Sequence, residues 1–158
     1  MRVALPESEI DSLMMERKVL PGNWSTAMRL SPKRGHYERQ LEVTGENENI
    51  FVLILRKSMN NEFDFSVIVA VKLHKPNRIF RLRRYNGLSH THTNRIESET
   101  FYDYHIHIAT ERYQKLGMHE ESYAIRTDRY VNFEGAIDCA ISDAKFEFPD
   151  GRQLTFLS

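Results

Sequence analysis

The six residues Ile50-Phe51-Val52-Leu53-Ile54-Leu55 are apolar at every position, and turn-forming stretches bound them, Gly45-Glu46-Asn47-Glu48-Asn49 before and Ser58-Met59-Asn60-Asn61 after. A run this short and this apolar predicts a central strand covered on both faces. A central strand needs partners, and the flanking segments supply them. Tyr37 to Val43 alternates, with Tyr37, Leu41 and Val43 on one face (Arg39 is the exception there) and Glu38, Gln40 and Glu42 on the other. Phe63 to Leu73 places Val67, Val69, Val71 and Leu73 together. Ile79 to Tyr85 predicts a fourth strand with Phe80 and Leu82 inward and Arg81 and Arg83 outward. Short polar turns, including His74-Lys75-Pro76-Asn77, join these runs, which is the pattern of an antiparallel meander. Phe101 to Ile108 predicts a fifth strand, with Tyr102, Tyr104, Ile106 and Ile108 on one face and Asp103, His105 and His107 on the other.

Helices flank the strands. Ile10, Leu13, Met14 and Arg17 follow three–four spacing and predict a helix from Pro6 to Leu20, stopped by Pro21-Gly22. Phe133, Ala136, Ile137, Ala140 and Ile141 give a helix over Val131–Asp143, with Cys139 at its margin as a small hydrophobe. Ala109 to Gly117 fits a short glycine-capped helix or a continuation of the strand before it. Asn86 to Thr100 reads as a loop, and Phe146 to Phe156 as a small hairpin around Pro149-Asp150-Gly151. The expected fold is α+β, one domain over residues 1–158: a meander sheet of five to seven strands with an N-terminal and a C-terminal helix packed against it. No stretch approaches the roughly 20 apolar residues of a membrane span. The first residues, Met1 to Pro6, lack a signal-peptide core. The single Cys139 cannot form an internal disulfide, so a cytoplasmic, reducing setting is expected.

Net charge is zero, with 22 basic and 22 acidic side chains, but the charges are unevenly placed. Residues 65–96 hold Lys72, Lys75, Arg78, Arg81, Arg83, Arg84 and Arg95 and no acid, for +7. Residues 97–158 carry six basic and twelve acidic groups, for −6. The basic block fits an anion-binding surface, RNA included, or a solvated strand edge guarded against aggregation. Acids from the flanks can also fold over it.

Four of the seven histidines fall in His90-Thr91-His92 and His105-Ile106-His107. Acid–base chemistry on RNA is one use: His90, His92, His105 and His107 shuttle protons near neutral pH while Arg81, Arg83, Arg84 and Arg112 hold phosphate. Metal binding is a second, through His90, His92 and Glu97, an order shared with the first cupin motif although the cupin glycines and downstream histidine are missing. Structural imidazoles bonded to Asp103, Glu97 or Thr93 are a third. The two-histidine phosphoesterase, histidine-triad and amidohydrolase patterns are not met, and no cofactor is called for. Tyr85, Tyr102, Tyr104, Tyr113, Tyr123 and Tyr130 either stack on bases or fill the core; Tyr102 and Tyr104 are expected to be core rings.

Arg84-Tyr85-Asn86-Gly87-Leu88-Ser89-His90, followed by Phe101-x-x-x-His105-Ile106-His107, resembles the small bacterial TumE-like toxins of toxin–antitoxin pairs. Here the loop is longer, and Gly87-Leu88-Ser89 replaces the family's Asn-x-Pro. The stretch from His105 through Thr110-Glu111-Arg112-Tyr113-Gln114 to Thr127-Asp128-Arg129-Tyr130 is similar to an uncharacterised Gram-positive and prophage family of this length. The resemblance implies a toxin-like protein that binds or cleaves RNA and is held by a cognate antitoxin. The alternatives kept beside it are a non-enzymatic prophage or defence interaction protein, homo-oligomeric or bound to another partner, and a His-ligated metalloprotein.

Overall fold

A computed structural model describes residues 4–74 and 77–149. The elements in chain order are α1 (Glu7–Met15), β1 (Lys18–Val19), α2 (Trp24–Ala27), β2 (Ser31–Lys33), β3 (His36–Thr44), β4 (Ile50–Ser58), β5 (Phe65–His74) and β6 (Asn77–Asn86). They continue with β7 (His92–Asn94), β8 (Glu99–Phe101), β9 (His105–Ile108), α3 (Glu111–Lys115), β10 (Ala124–Arg126), α4 (Phe133–Asp143) and β11 (Phe146–Glu147). The architecture is α+β.

Seven strands form one antiparallel sheet in the order β10-β9-β6-β5-β4-β3-β2. The apolar run lies in β4, buried on both sides as its composition requires. Phe51, Leu53 and Leu55 join the main core; Val52 packs with Ile68 and Ala70 on the opposite face. The main core lies between one sheet face and two helices: Ile10, Leu13 and Met14 of α1 and Phe133, Ala136, Ile137 and Ala140 of α4 share one cluster with Val67, Val69 and Val71, and α4 packs on β5. Removing this apolar surface from water is the main favourable term. The other face carries no helix among the described residues. No helix there is long and apolar enough to cross a membrane.

Four expectations are corrected. The first helix ends at Met15, not Leu20. Lys18 is the reason: its fully buried ammonium donates to the carbonyls of Leu13 (2.9 Å), Glu16 (2.7 Å) and Ala144 (2.6 Å), over the Phe51 ring. One cation thereby satisfies carbonyls at the C-termini of α1 and α4. The chain then runs parallel to β11 instead of continuing the helix.

Second, Arg81 and Arg83 do not share a face. A register shift sets Ala70 opposite Arg81 but Val69 opposite Arg83, with Leu82 as the extra residue. Such a bulge reverses the alternation. Arg83 turns to the helix side and Arg81 to the other. Third, the predicted fifth strand is two. β8 pairs with β7 in a separate hairpin, and only β9 enters the main sheet. The supposed loop 86–100 thus contains β7. Fourth, Tyr102 is 55% exposed, whereas Tyr104 packs on the core as expected.

Ala109–Gly117 takes the helical alternative, with Gly117 at φ +78° beyond α3. Asn132 caps α4 by accepting from the Gly135 N–H at 2.8 Å. Lys75-Pro76 of one predicted turn and residues 150–156 of the predicted terminal hairpin lie outside the described residues.

Candidate functional site

The helix-free face is organised by the strand register. One row across the sheet reads Glu38, Arg56, Ser66, Asn86, His105. The next reads Gln40, Ile54, Ile68, Arg84, His107. Pairing of β6 with β9 is therefore what brings the basic strand beside the second histidine pair.

One ring nitrogen from each of His92, His105 and His107 lies within 4.8 Å of the others. Hydrogen bonds set each tautomer. The Nδ1 of His105 is 2.8 Å from the Asp103 carbonyl, and the Nδ1 of His107 is 2.7 Å from the Glu121 carbonyl. A carbonyl only accepts, so both Nδ1 atoms carry hydrogen and both Nε2 atoms hold lone pairs. The Nδ2 of Asn86 sits 3.5 and 3.3 Å from those Nε2 atoms. Its amide orientation is fixed because Oδ1 accepts from the Ser66 hydroxyl (2.8 Å) and the Arg84 Nε (3.0 Å).

His92 follows the same logic. Asn94 is clamped to Ala124, its Nδ2 donating to the carbonyl at 2.7 Å and its Oδ1 accepting from the N–H at 2.9 Å. That Oδ1 lies 2.7 Å from the His92 Nε2, which must donate, leaving the lone pair on Nδ1. Burial pulls His107 down to about 3, helped by the neighbouring His105. Burial also lowers His105, with His92, His90 and Arg84 adding to it against the opposing Asp103 hydrogen bond. The two buried rings are neutral imidazoles at neutral pH.

Beside this cluster opens a cleft of about 510 Å³ lined by Arg34, Arg56, Arg84, His36, Asn86 and His90, with Asp64 as an acid on its wall. Among the described residues Arg34 and Arg56 make no ion pair. His90 is exposed, bonded through Nδ1 to the Ser89 hydroxyl at 2.8 Å, and its ring stands edge-on to His105. His36 donates from Nδ1 to the Arg34 carbonyl at 2.8 Å.

The structure gathers His90, His92, His105, His107 and Arg84 in one region. Of the remaining predicted residues, Arg81 lies on the same face and shares the Glu121 carboxylate with Arg84, whereas Arg83 and Arg112 lie apart. Arg81 pairs with Glu121 at 3.1 Å and Arg78 with Glu120 at 3.3 Å. Arg83 reaches Asp143 at 3.4 Å on the helix side. Arg112 pairs with Glu97, which also accepts from the Tyr113 hydroxyl at 2.6 Å. Glu97 is thus committed away from His90 and His92. Acids from the C-terminal third answer much of the basic block, so its +7 does not translate into an open cationic face. Arg34, Arg56 and His36 were not singled out from sequence. The turn Lys33-Arg34-Gly35-His36 is a local basic signal; Arg56 has none, since its place depends on the register.

Comparison with protein-family models, with curated proteins and with solved structures finds no match.

Proposed function

We propose that this chain binds RNA in the basic cleft and cleaves its backbone there, as a toxin-like ribonuclease. The observation that carries the proposal is the pair Arg34 and Arg56, two guanidinium groups without an acid partner among the described residues, lining one cleft with two histidines. Guanidinium suits phosphate because its planar fork matches two oxygens. Arg84, already shared with Glu121, contributes at the cleft's edge.

RNA cleavage needs a base to take the 2′-OH proton and an acid to protonate the departing 5′-oxygen. The 2′-oxygen bonds to phosphorus as the P–O5′ bond breaks, giving a 2′,3′-cyclic phosphate and a 5′-hydroxyl. His36 and His90, which line the cleft, are the proton carriers in this scheme. The buried, neutral His105 and His107 are not suited to gaining a proton. The likeness to TumE-like toxins supports the same reading and adds an antitoxin partner.

Single-stranded RNA binding should weaken in Arg34→Gln/Arg56→Gln, and the slope of log K against log salt should fall by about 1.4, roughly 0.7 per lost phosphate contact. His36→Ala/His90→Ala should bind but not cleave. Unchanged affinity in the arginine double variant would sink the proposal.

A further inference from the structure

We propose that His92, His105 and His107 form a binding site for one late first-row divalent metal ion, with Zn²⁺ the simplest occupant. The inference stands apart from the RNA reading and needs none of its residues.

Three observations converge. The three ring nitrogens approach within 4.8 Å, in a place built by two different strands. Each ring also has one nitrogen spent on a fixed acceptor, which leaves the lone pair on the other: His105 on the Asp103 carbonyl, His107 on the Glu121 carbonyl, His92 on Oδ1 of the clamped Asn94. Metal-binding histidines are held in this way, with the far N–H given to a carbonyl or similar oxygen so that the near nitrogen keeps its lone pair. Finally, the lone pairs of the two buried rings are poorly used: His105 and His107 share one amide group at 3.5 and 3.3 Å, at the long end for N–H donors.

A metal ion brings its charge to neutral nitrogen donors. Zinc nitrogens stand at about 2.0–2.1 Å from the ion and hence about 3.4 Å from one another. His92 is half-buried on the small β7–β8 hairpin and borders a hollow with Thr93, Arg95, His119 and Ser122. On binding, the rings must draw together from their present separation, and the hollow beside His92 gives the ion its entry path. Three neutral imidazoles with no thiolate or carboxylate suit Zn²⁺, Co²⁺, Ni²⁺ or Cu²⁺ over Mg²⁺ or Ca²⁺. Three protein ligands also leave a coordination position for water or another oxygen.

The test is equilibrium dialysis with Zn²⁺ and titration with Co²⁺ as a spectroscopic stand-in, on chelator-treated protein. Wild type should take up one ion per chain, show the intense ligand-field band of low-coordinate Co²⁺, and melt higher with Zn²⁺. His92→Ala should lose at least tenfold in affinity and lose the band while keeping its circular dichroism. His92→Gln is the substitute if alanine fails to fold. Asn94→Ala should weaken binding about 10–100-fold, as removal of such a supporting partner does. His90→Ala should bind as wild type. No uptake by wild type, an unchanged band in folded His92 variants, or loss of the band in His90→Ala each overturns this ligand set.

Discussion

The backbone carbonyl of Glu121 accepts the Nδ1–H of His107 at 2.7 Å. The same residue's carboxylate holds Arg84 at 3.0 Å and Arg81 at 3.1 Å. One residue between α3 and β10 thus fixes a buried imidazole and masks two arginines of the basic strand. The two roles use different atoms, so they can be separated by substitution.

Glu121→Gln removes the charge and keeps the carbonyl. The arginines lose their counter-charge while His107 keeps its hydrogen bond. Polyanion affinity should therefore rise a few-fold, with a steeper salt dependence. Stability should fall by only about 0–1 kcal/mol, as for partly exposed pairs. Filter binding of single-stranded RNA over a salt series checks the sign; weaker binding would show that Arg84 is not available to the cleft.

Arg83→Gln gives the contrast. The bulge at Leu82 sends Arg83 to the helix face, against Asp143. RNA affinity should stay within twofold of wild type, and urea stability should fall by about 0.5–1 kcal/mol. Had Arg83 shared a face with Arg81, the alternation would have made it part of the same surface.

Why the bulge escapes sequence inspection is instructive. Phe80-Arg81-Leu82-Arg83 alternates without flaw, and the inserted residue becomes visible only against β5. The apolar run of β4 and the valines of β5 were legible because period-two patterning is local. The end of α1 was not, since Ile10, Met14 and Arg17 continue the helical spacing and the stop comes from Lys18 reaching Ala144, far along the chain. Both histidine pairs were visible as motifs. Their convergence required the β6–β9 register, and the fixing of His92 required Asn94 to meet Ala124. The cleft arginines were the least legible: Arg56 meets Asn86 only through Ser66, across three strands.

Lys18→Met tests the shared helix cap. The side chain is fully buried, and burial pulls its amine down to about 8 against the opposing charge of Glu16. Methionine fills similar space but donates nothing to the carbonyls of Leu13, Glu16 and Ala144. Orphaned buried acceptors cost roughly 1–3 kcal/mol. We expect a loss of about 2–4 kcal/mol, because more than one carbonyl is left bare and Glu16 loses a nearby cation. Guanidinium unfolding with an unchanged m-value would measure it. A neutral or stabilising outcome would mean that the desolvation of the ammonium outweighs its bonds.

Asp143 supplies the pH dependence. Burial alone pushes its carboxyl up, but Arg129, bonded at 2.8 and 2.9 Å, together with the Tyr85 hydroxyl at 2.7 Å and Arg83, overcomes this and holds it below 3.8. A folded-state pKa below the unfolded one means that the unfolded chain binds the proton more readily. The stability from this carboxylate is fully present above the unfolded value and is lost as pH falls through the folded one. Asp143→Asn should therefore cost about 2–3 kcal/mol at pH 7, where it strands Arg129 and Tyr85. The gap between variant and wild type should narrow steadily below pH 4. Urea titrations from pH 7 down to the onset of acid unfolding would show it. Parallel curves would mean that the carboxylate is no better held in the folded chain than in the unfolded one.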